Sequence, residues 1–530
     1  MITDETLISL RSNDERFHNL FFYLDDFSFG DDDDEEEEEQ EQGDNHHVAT
    51  NHRSSSRDSH PSNPNNELTR ALSGNTQVTA VDVDMHLDEP LNRHTIDLMA
   101  GIGQLQNLRS LRCSSSGDYA VTMAALTLLM QASKQQNTVV GISGSRSSKS
   151  SISSKLVSLD LVNFLLRDEH EGDEHSLAFQ SYQDFVTAIR YHPSLNRFHL
   201  SFGFSSSPAV STLQPSARAE VSRATAEDPE HSLRSAHYCL TPLLESLMTM
   251  PSLNSISLDG AGFASLSYLT PQGLSAILGV STKATVSTSP IQSVELCDFD
   301  LSSNHMEVVA KALAACDSNL KVLALSCNKF LSTPGSEGVI RPLAQALRSN
   351  TRLESLTLPL QSLLVCHASG PAHKKGMTTI TKQGNRMAIM EFFQSLEINH
   401  TLKRLHLSGP DDEASLAAVD DVFMSPGVIG AIRHMLQNNY GLEALHIGYP
   451  EVFSEEDWQA EIDLHTKLNS MGRGRLLRDA SVTRAQWMDS FGAVQDDLSC
   501  LFHLLLLNPL LCGSSSEVFS NKHNSYVSAY

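Results

Sequence analysis

The phrase Leu-x-x-Leu-x-Leu returns along this chain, each time after a stretch whose apolar residues are spaced as on a helix. The clearest copy is Leu320, Leu323 and Leu325, which runs on to Asn328 in LKVLALSCN. With close apolar variants included, ten copies start at Val78, Leu108, Leu156, Leu195, Leu253, Ile291, Leu320, Leu353, Leu402 and Leu442. Alternation over so short a span reads as one half-buried strand, and ten such spans in order read as a repeat. From Ile291 to Leu353 three copies follow at spacings of 29 and 33 residues. Between them lie helical faces, Met306, Val309, Leu313 and Ala314, then Ile340, Leu343, Ala346 and Leu347. Each helix ends in a polar hinge such as CDSN or RSNT. One strand and one helix cannot bury their own apolar faces, so the units must stack. The expected fold is α/β: a solenoid of about ten strand–helix units, with parallel strands inside the curve and helices outside. Strands sit about 4.8 Å apart and helices about 10 Å, so the stack bends into a horseshoe.

Residues 1–30 hold a short amphipathic segment, ERFHNLFFYLDDFSF, with Phe17, Leu20, Phe21, Leu24 and Phe27 apolar. It is read as a cap on the first repeat, as an aromatic partner-binding motif flanked by acids, or as a disordered segment. Residues 31–74 are acidic and then rich in Ser, His and Asn, and they hold too little apolar surface to offset ordering entropy. The repeat domain covers 75–450, with polar insertions at 141–155, 205–230, 281–290 and 367–384. Beyond Ile447 the period is lost. Two helical stretches, about 455–468 and 483–507, predict a helical cap over 451–512, and 513–530 reads as a disordered tail.

The formal charge of −26 is partly local. Asp31–Asp34, Glu35–Glu39, Glu41 and Asp44 supply eleven negative charges, and removing them changes −26 to −15. An acidic surface disfavours nucleic-acid backbones and anionic membranes, so neither is an expected partner. Eight cysteines without a Cys-x-x-Cys pair read as reduced and intracellular, and Cys113 takes the place of a core leucine. The longest apolar run, Leu501–Leu511, is interrupted by His503 and Asn508-Pro509. It is too short to span a bilayer. With no basic leader, the expected location is the cytoplasm, with the nucleus as the second choice. The Asn399-His400-Thr401 sequon then has no glycosylation role.

The units of about 28–29 residues resemble the ribonuclease-inhibitor-like class of leucine-rich repeats over residues 75–450. The most specific portion is LKVLALSCNKF followed by VIRPLAQALRSNTRLESLTL. The tail from EIDLHTKLNSMGRGRLLRD to FHLLLLNPLLC resembles the C-terminal segment of leucine-rich-repeat proteins of diatoms and algae, which points to lineage rather than activity. The copies depart from the consensus at Phe198, Ile256 and Val294, and most lack the turn asparagine. The resemblance implies a horseshoe that holds another protein on its concave face. It also offers an alternative, a regulator of a small GTPase similar to the Ran-activating proteins. Their acidic tail is C-terminal, whereas the acids here lie near the N-terminus. A ubiquitin-ligase substrate receptor would need an F-box, which residues 1–30 are too short to supply.

Because side chains alternate along a strand, the residue between the last two apolar positions faces the open side. That column reads Asp82, Arg112, Asp160, His199, Ser257, Glu295, Ala324, Thr357, His406 and His446. The column before it carries Arg197 and Arg404. Asp82, Asp84 and Asp160 make the early strands acidic, whereas Arg404, His406 and His446 give the late ones donors. These residues, with Arg197, His199 and Glu295, are the candidate partner-binding set, and charge complementarity would orient the partner.

Other motifs are weaker. SGSRSSKSS from Ser143 lacks the glycine before its lysine that a phosphate loop needs. DEHEGDEH, residues 168–175, has no rigid ligand spacing, and GRGRLLR, residues 472–478, reads as a turn with a charged rim. No Gly-x-Ser-x-Gly elbow, paired carboxylates or Cys/His couple is legible. The sequence therefore predicts no catalytic residue, no metal and no cofactor. What it predicts is a monomeric, non-enzymatic scaffold for an unidentified protein.

Overall fold

A computed structural model of the chain describes residues 18–25, 64–73, 75–87, 91–115, 119–135, 156–162, 177–201, 240, 242–260, 269–280, 290–315, 318–326, 328–331, 340–360, 379–409, 419, 422–448, 456–479 and 481–508. The chain divides into two compact units, Met1–Asn196 with Gly203–Ser206, and Arg197–Phe202 with Ser207–Tyr530.

In the first unit four parallel strands lie in chain order: β1 (Asn19–Asp25), β2 (Ala80–His86), β3 (Ser110–Ser115) and β4 (Ser158–Val162). Helices α1 (Pro64–Ser73), α2 (Arg93–Gly103), α3 (Tyr119–Gln135) and α4 (Leu177–Arg190) alternate with them and pack each on the next. Register aligns the apolar alternation. Val81, Leu111 and Leu159 are partners, as are Val83, Cys113 and Leu161, and all six are buried. Cys113 fills its leucine position completely. Burial, followed by the nearby Asp82 and Asp160 carboxylates, pushes its thiol far above the ordinary range, so it is unreactive.

The second unit repeats the pattern with β5 (Arg197–Ser201), β6 (Ser255–Asp259), β7 (Ser293–Cys297), β9 (Val322–Ala324), β11 (Ser355–Pro359), β12 (Arg404–Ser408) and β13 (Ala444–Ile447), all parallel. A separate two-stranded parallel pair, β8 (Asp300–Ser302) and β10 (Lys329–Leu331), follows β7 and β9. Phe198, Ile256, Val294, Leu323, Leu356, Leu405 and Leu445 form one buried row across the seven strands. The consensus departures at 198, 256 and 294 are therefore core residues in register. Asn328, the turn asparagine of the clearest phrase, ties two turns together. Its Oδ1 accepts from the Phe299 amide at 2.7 Å, and its Nδ2 donates to the Leu296 carbonyl at 2.9 Å. The helices are α5 (Pro271–Ile277), α6 (Ser303–Ala314), α7 (Ile340–Ser349), α8 (Thr379–Ile398) and α9 (Pro426–Asn438), with residues 242–248 also helical.

Each of the ten phrases begins two residues before a strand. Several segments differ from the sequence reading. Residues 379–384, expected in a loop insertion, begin α8, and residues 473–478, expected in a turn, are helical. Two further segments near the N-terminus change class. Residues 19–25 form a strand, because Phe17-x-x-Leu20-x-Phe22 is an eleventh copy of the phrase hidden in an apolar run. Its helical spacing was coincidental. Residues 64–73, within the segment expected to be disordered, form α1, held by Leu68, Ala71 and Leu72, which are buried beside α2. The rest of 31–74, the tail 513–530, and the motifs at 143–151 and 168–175 lie outside the described residues.

The polar hinges are not solvated loops. Asn350, Asn399 and Asn439, each three residues before a phrase, are buried and join consecutive units. Asn399 Oδ1 accepts from the amides of Thr401 and Leu402 at 3.0 and 2.9 Å, while its Nδ2 donates to Leu347 and Asn350 carbonyls at 2.6 and 3.1 Å. Asn439 repeats this on Leu396 and Asn399, and Asn350 reaches the Leu313 carbonyl. Each amide satisfies groups that a helix end leaves unpaired. It also removes the Asn399 side chain from any modifying enzyme in the folded chain.

Residues 456–508 hold four helices, α10 (Glu456–Ser470), α11 (Arg473–Arg478), α12 (Arg484–Ala493) and α13 (Leu498–Leu507). The predicted second stretch breaks because Asp497 caps α13, accepting from the Cys500 amide at 3.0 Å. Leu468, Leu476, Trp487, Val494, Cys500 and Leu504 form the local core. Arg473, read as part of a charged rim, is buried instead. The last rung of the asparagine series, Asn469, donates to the Asn439 and Leu442 carbonyls and receives Arg473 Nε at 2.9 Å.

Candidate functional site

Along every paired strand the residues that alternate with the buried rows face the open side of the sheet. Two groups of them carry charge.

In the first unit Asp82 and Asp160 flank Arg112 in one register row. Arg112 Nε lies 3.9 Å from Asp160 Oδ2, a weak pair at the surface. Asp84 is two residues further along and belongs to a different row, between Tyr23 and Ser114. It accepts from Ser114 Oγ at 2.7 Å and lies 3.5 Å from His86 Nε2. His86 in turn meets the Tyr23 ring, with centroids 5.0 Å apart. Asp82 has no hydrogen-bond or ion partner among the described residues. The sequence reading offered Phe21 within an aromatic partner-binding motif but did not place it on a strand, and it did not single out Tyr23. The two stand opposite Asp82 and Asp84 and are 65% and 55% exposed. The signal that locates them is the phrase register, in which Phe21 occupies the same position as Asp82.

In the second unit Arg197 and His199 stand opposite Ser255 and Ser257, and Glu295 stands opposite Ser257 and Ala324. Arg404, His406 and His446 are adjacent. His406 and His446 are register partners with rings 4.5 Å apart at 80°, and Arg404 Nε reaches Ser355 Oγ at 3.5 Å. Burial, then the neighbouring His446, lowers the proton affinity of His406. From β5 to β12 there are five strand steps, about 24 Å, so His199 and His406 form separate patches. In the three consecutive phrases from Leu320, Leu353 and Leu402, the charged position after the first apolar residue is self-neutralised. Glu354 meets Lys321 at 4.0 Å and Lys403 at 3.6 Å. Arg404 meets no carboxylate among the described residues and remains available to a partner.

One mixed group lies beyond the predicted set. Asp259, Cys297 and Asp298 place ligating atoms within 4.8 Å of one another, and Asp259 Oδ2 accepts from Ser201 Oγ at 3.3 Å. Three donors of mixed hardness fall short of the four that close a structural zinc site. Cys113, Cys297 and Cys500 are thiols and form no disulfide. Among the described residues no helix is long and apolar enough to cross a membrane.

No family model matches the chain, and no curated protein matches it. What it shares with known architectures is the repeated strand–helix pattern of an α/β fold with parallel strands.

Proposed function

We propose that this chain is a non-enzymatic scaffold: a ribonuclease-inhibitor-like leucine-rich-repeat horseshoe, monomeric and cytoplasmic, that holds a partner protein on its concave face. The observation that carries this reading is the register itself. Within each unit, residues two apart on the strands are buried, while the residues between them line up strand after strand as an open polar face that carries charge. Such a surface supplies orientation and selectivity. It is too open to desolvate reacting groups as catalysis requires.

The test is affinity capture by the purified chain, with Arg404→Glu/His406→Glu as the control. The same captured protein should bind the wild type stoichiometrically and be lost from the variant, with unchanged circular dichroism in both. Equal capture by the variant would remove the open face from the reading. Stimulated GTP hydrolysis by a captured GTPase would replace it with the regulator alternative.

A further inference from the structure

Strand β1 is the end of its sheet, and among the described residues β2 is its only strand neighbour. The His18 carbonyl accepts from the amides of Thr79 and Ala80, so alternate residues after it, Leu20 and Phe22, direct their backbone groups at β2. The amides and carbonyls of Asn19, Phe21 and Tyr23 therefore point to the open edge. Strands inside the sheet bury their apolar rows completely, as at Val81 and Leu111, whereas Leu20 and Phe22 are only half-buried. Natural edges are usually blunted by proline, lysine or a bulge. The sequence NLFFYLD has neither proline nor lysine, and it presents Phe21 and Tyr23 to solvent.

The chemistry beside this edge is acidic. Asp82 and Asp84 stand next to the two exposed rings, one strand away, and the eleven-charge run 31–44 begins six residues after β1 ends. A second copy of β1 would bring the same acids into its own neighbourhood and be repelled. A lysine or arginine, by contrast, can lay its methylenes on an aromatic ring and its cation beside a carboxylate.

We propose that β1 is a strand-addition site for an extended, lysine- or arginine-bearing segment of a partner protein. The segment pairs with the outward backbone groups of Asn19, Phe21 and Tyr23 and sets its basic side chains on Phe21, Tyr23, Asp82 and Asp84. This deepens the scaffold reading, on which it rests, by naming the class of partner segment.

The probe is a fluorescein-labelled octapeptide of alternating lysine and valine, titrated into the full chain at physiological salt and read by anisotropy. Two control peptides accompany it, one with glutamate for lysine and one N-methylated at alternate residues with its charge intact. The basic peptide should bind saturably and the glutamate peptide should not. Asp82→Asn/Asp84→Asn and Phe21→Ser/Tyr23→Ser should each weaken binding by roughly tenfold. The N-methylated peptide should lose it, since strand pairing needs those amides. Unchanged affinity in the asparagine variant, equal binding of the N-methylated peptide, or absence of saturable binding would each overturn the proposal. Concentration-dependent dimerisation abolished by Phe21→Ser would also overturn it, by assigning the edge to a second copy. Arg404→Glu/His406→Glu leaves this edge intact and should bind the peptide normally. Loss of partner capture in that variant, alongside a failed peptide titration, would sink the strand-addition site and leave the scaffold reading standing.

Discussion

The first strand of the chain and the last carry the same apolar alternation and are finished in opposite ways. At β13, helix α10 covers the exposed end. Leu445 is 8% exposed, and Ile462 and Leu468 are buried in the covering layer. At β1 Leu20, the counterpart of Leu445, stays half-buried, as Phe22 and its counterpart Ile447 both do, and the Phe21 and Tyr23 rings are exposed among the described residues. The polar series that joins units is terminated at one end as well. Asn350, Asn399 and Asn439 each hand their oxygen to the next strand, and Asn469, with no following strand to serve, hands its oxygen to Arg473. The difference teaches that a repeat closes by two separate devices, an apolar cover and a polar terminator, and that among the described residues no cover lies on the outer edge of β1. The cap keeps an apolar face of its own, since Leu498, Phe502 and Leu506 of α13 are 78%, 60% and 58% exposed.

Breaking the polar series in its interior should have the largest effect. Asn399→Asp keeps the acceptor for Thr401 and Leu402 but turns a carboxylate toward the Leu347 and Asn350 carbonyls. An uncompensated buried charge there should cost about 4 kcal/mol in urea unfolding, more than Asn399→Ala, which only leaves groups unpaired. If aspartate and alanine cost the same, the Nδ2 bonds contribute little and the series is not the joint.

The terminator should rank next. Arg473 is buried, stacks on Tyr440 at 4.9 Å, and donates to Asn469 Oδ1, His465 Nδ1, and the carbonyls of Leu436 and Asn439. Burial holds its proton affinity down, to about 10, so it remains charged in neutral solution. Arg473→Met should cost about 3 kcal/mol, less than the interior change, because removing the cation also removes its desolvation penalty. An effect confined to α10–α13 in hydrogen exchange would show that the cap, and not the whole unit, depends on it.

Acid acts more gradually, with a smaller effect per pH unit. Burial, then Arg473, then His503 push His465 down to about 4, and burial pushes His192 to about 4. An unfolded histidine takes its proton near pH 6.5, so between 6.5 and 4 the unfolded chain binds more protons than the folded one. Stability is full above 6.5 and falls as the pH drops toward 4, by at most about 1.4 kcal/mol per pH unit for each histidine. His465→Gln should flatten the slope for the second unit and leave that of the first, where His192 contacts Ser133 at 3.3 Å. An unchanged slope would mean that His465 is protonated in the folded chain.

How far this was legible follows from where the information resides. Ten strands could be located because their alternation is local, and the pleat then placed Asp82, Asp160, Arg404, His406 and His446 on the open face. β1 was obscured because Leu20, Phe21, Phe22 and Leu24 satisfy helical and strand spacing at once, and only pairing with β2 decides. Helix α1 was lost in a polar composition that three apolar residues outweigh once they have α2 to pack on. The hinges carried no sign of burial, since an asparagine in water and one shared between two units look alike in composition. Their constant position three residues before the phrase was the available signal. Pairings such as Arg112 with Asp160 depend on which strands are adjacent, and so they emerge only with the fold.

The smallest expected effect gives the sharpest test of the comparison. If β1 faces solvent, Phe21→Ser removes a ring that contributes little to the folded state. The unfolding free energy should then change by less than about 0.5 kcal/mol, as for an ordinary surface position. Leu445→Ala, at the covered end, should cost about 3 kcal/mol by leaving a cavity under α10. A large loss for Phe21→Ser would show that its ring is covered in solution, and the two ends would then be alike. A negligible loss, together with weakened binding of the basic peptide, would separate stability from recognition at this position. That separation is the property of a docking edge, because a residue retained for packing loses both at once.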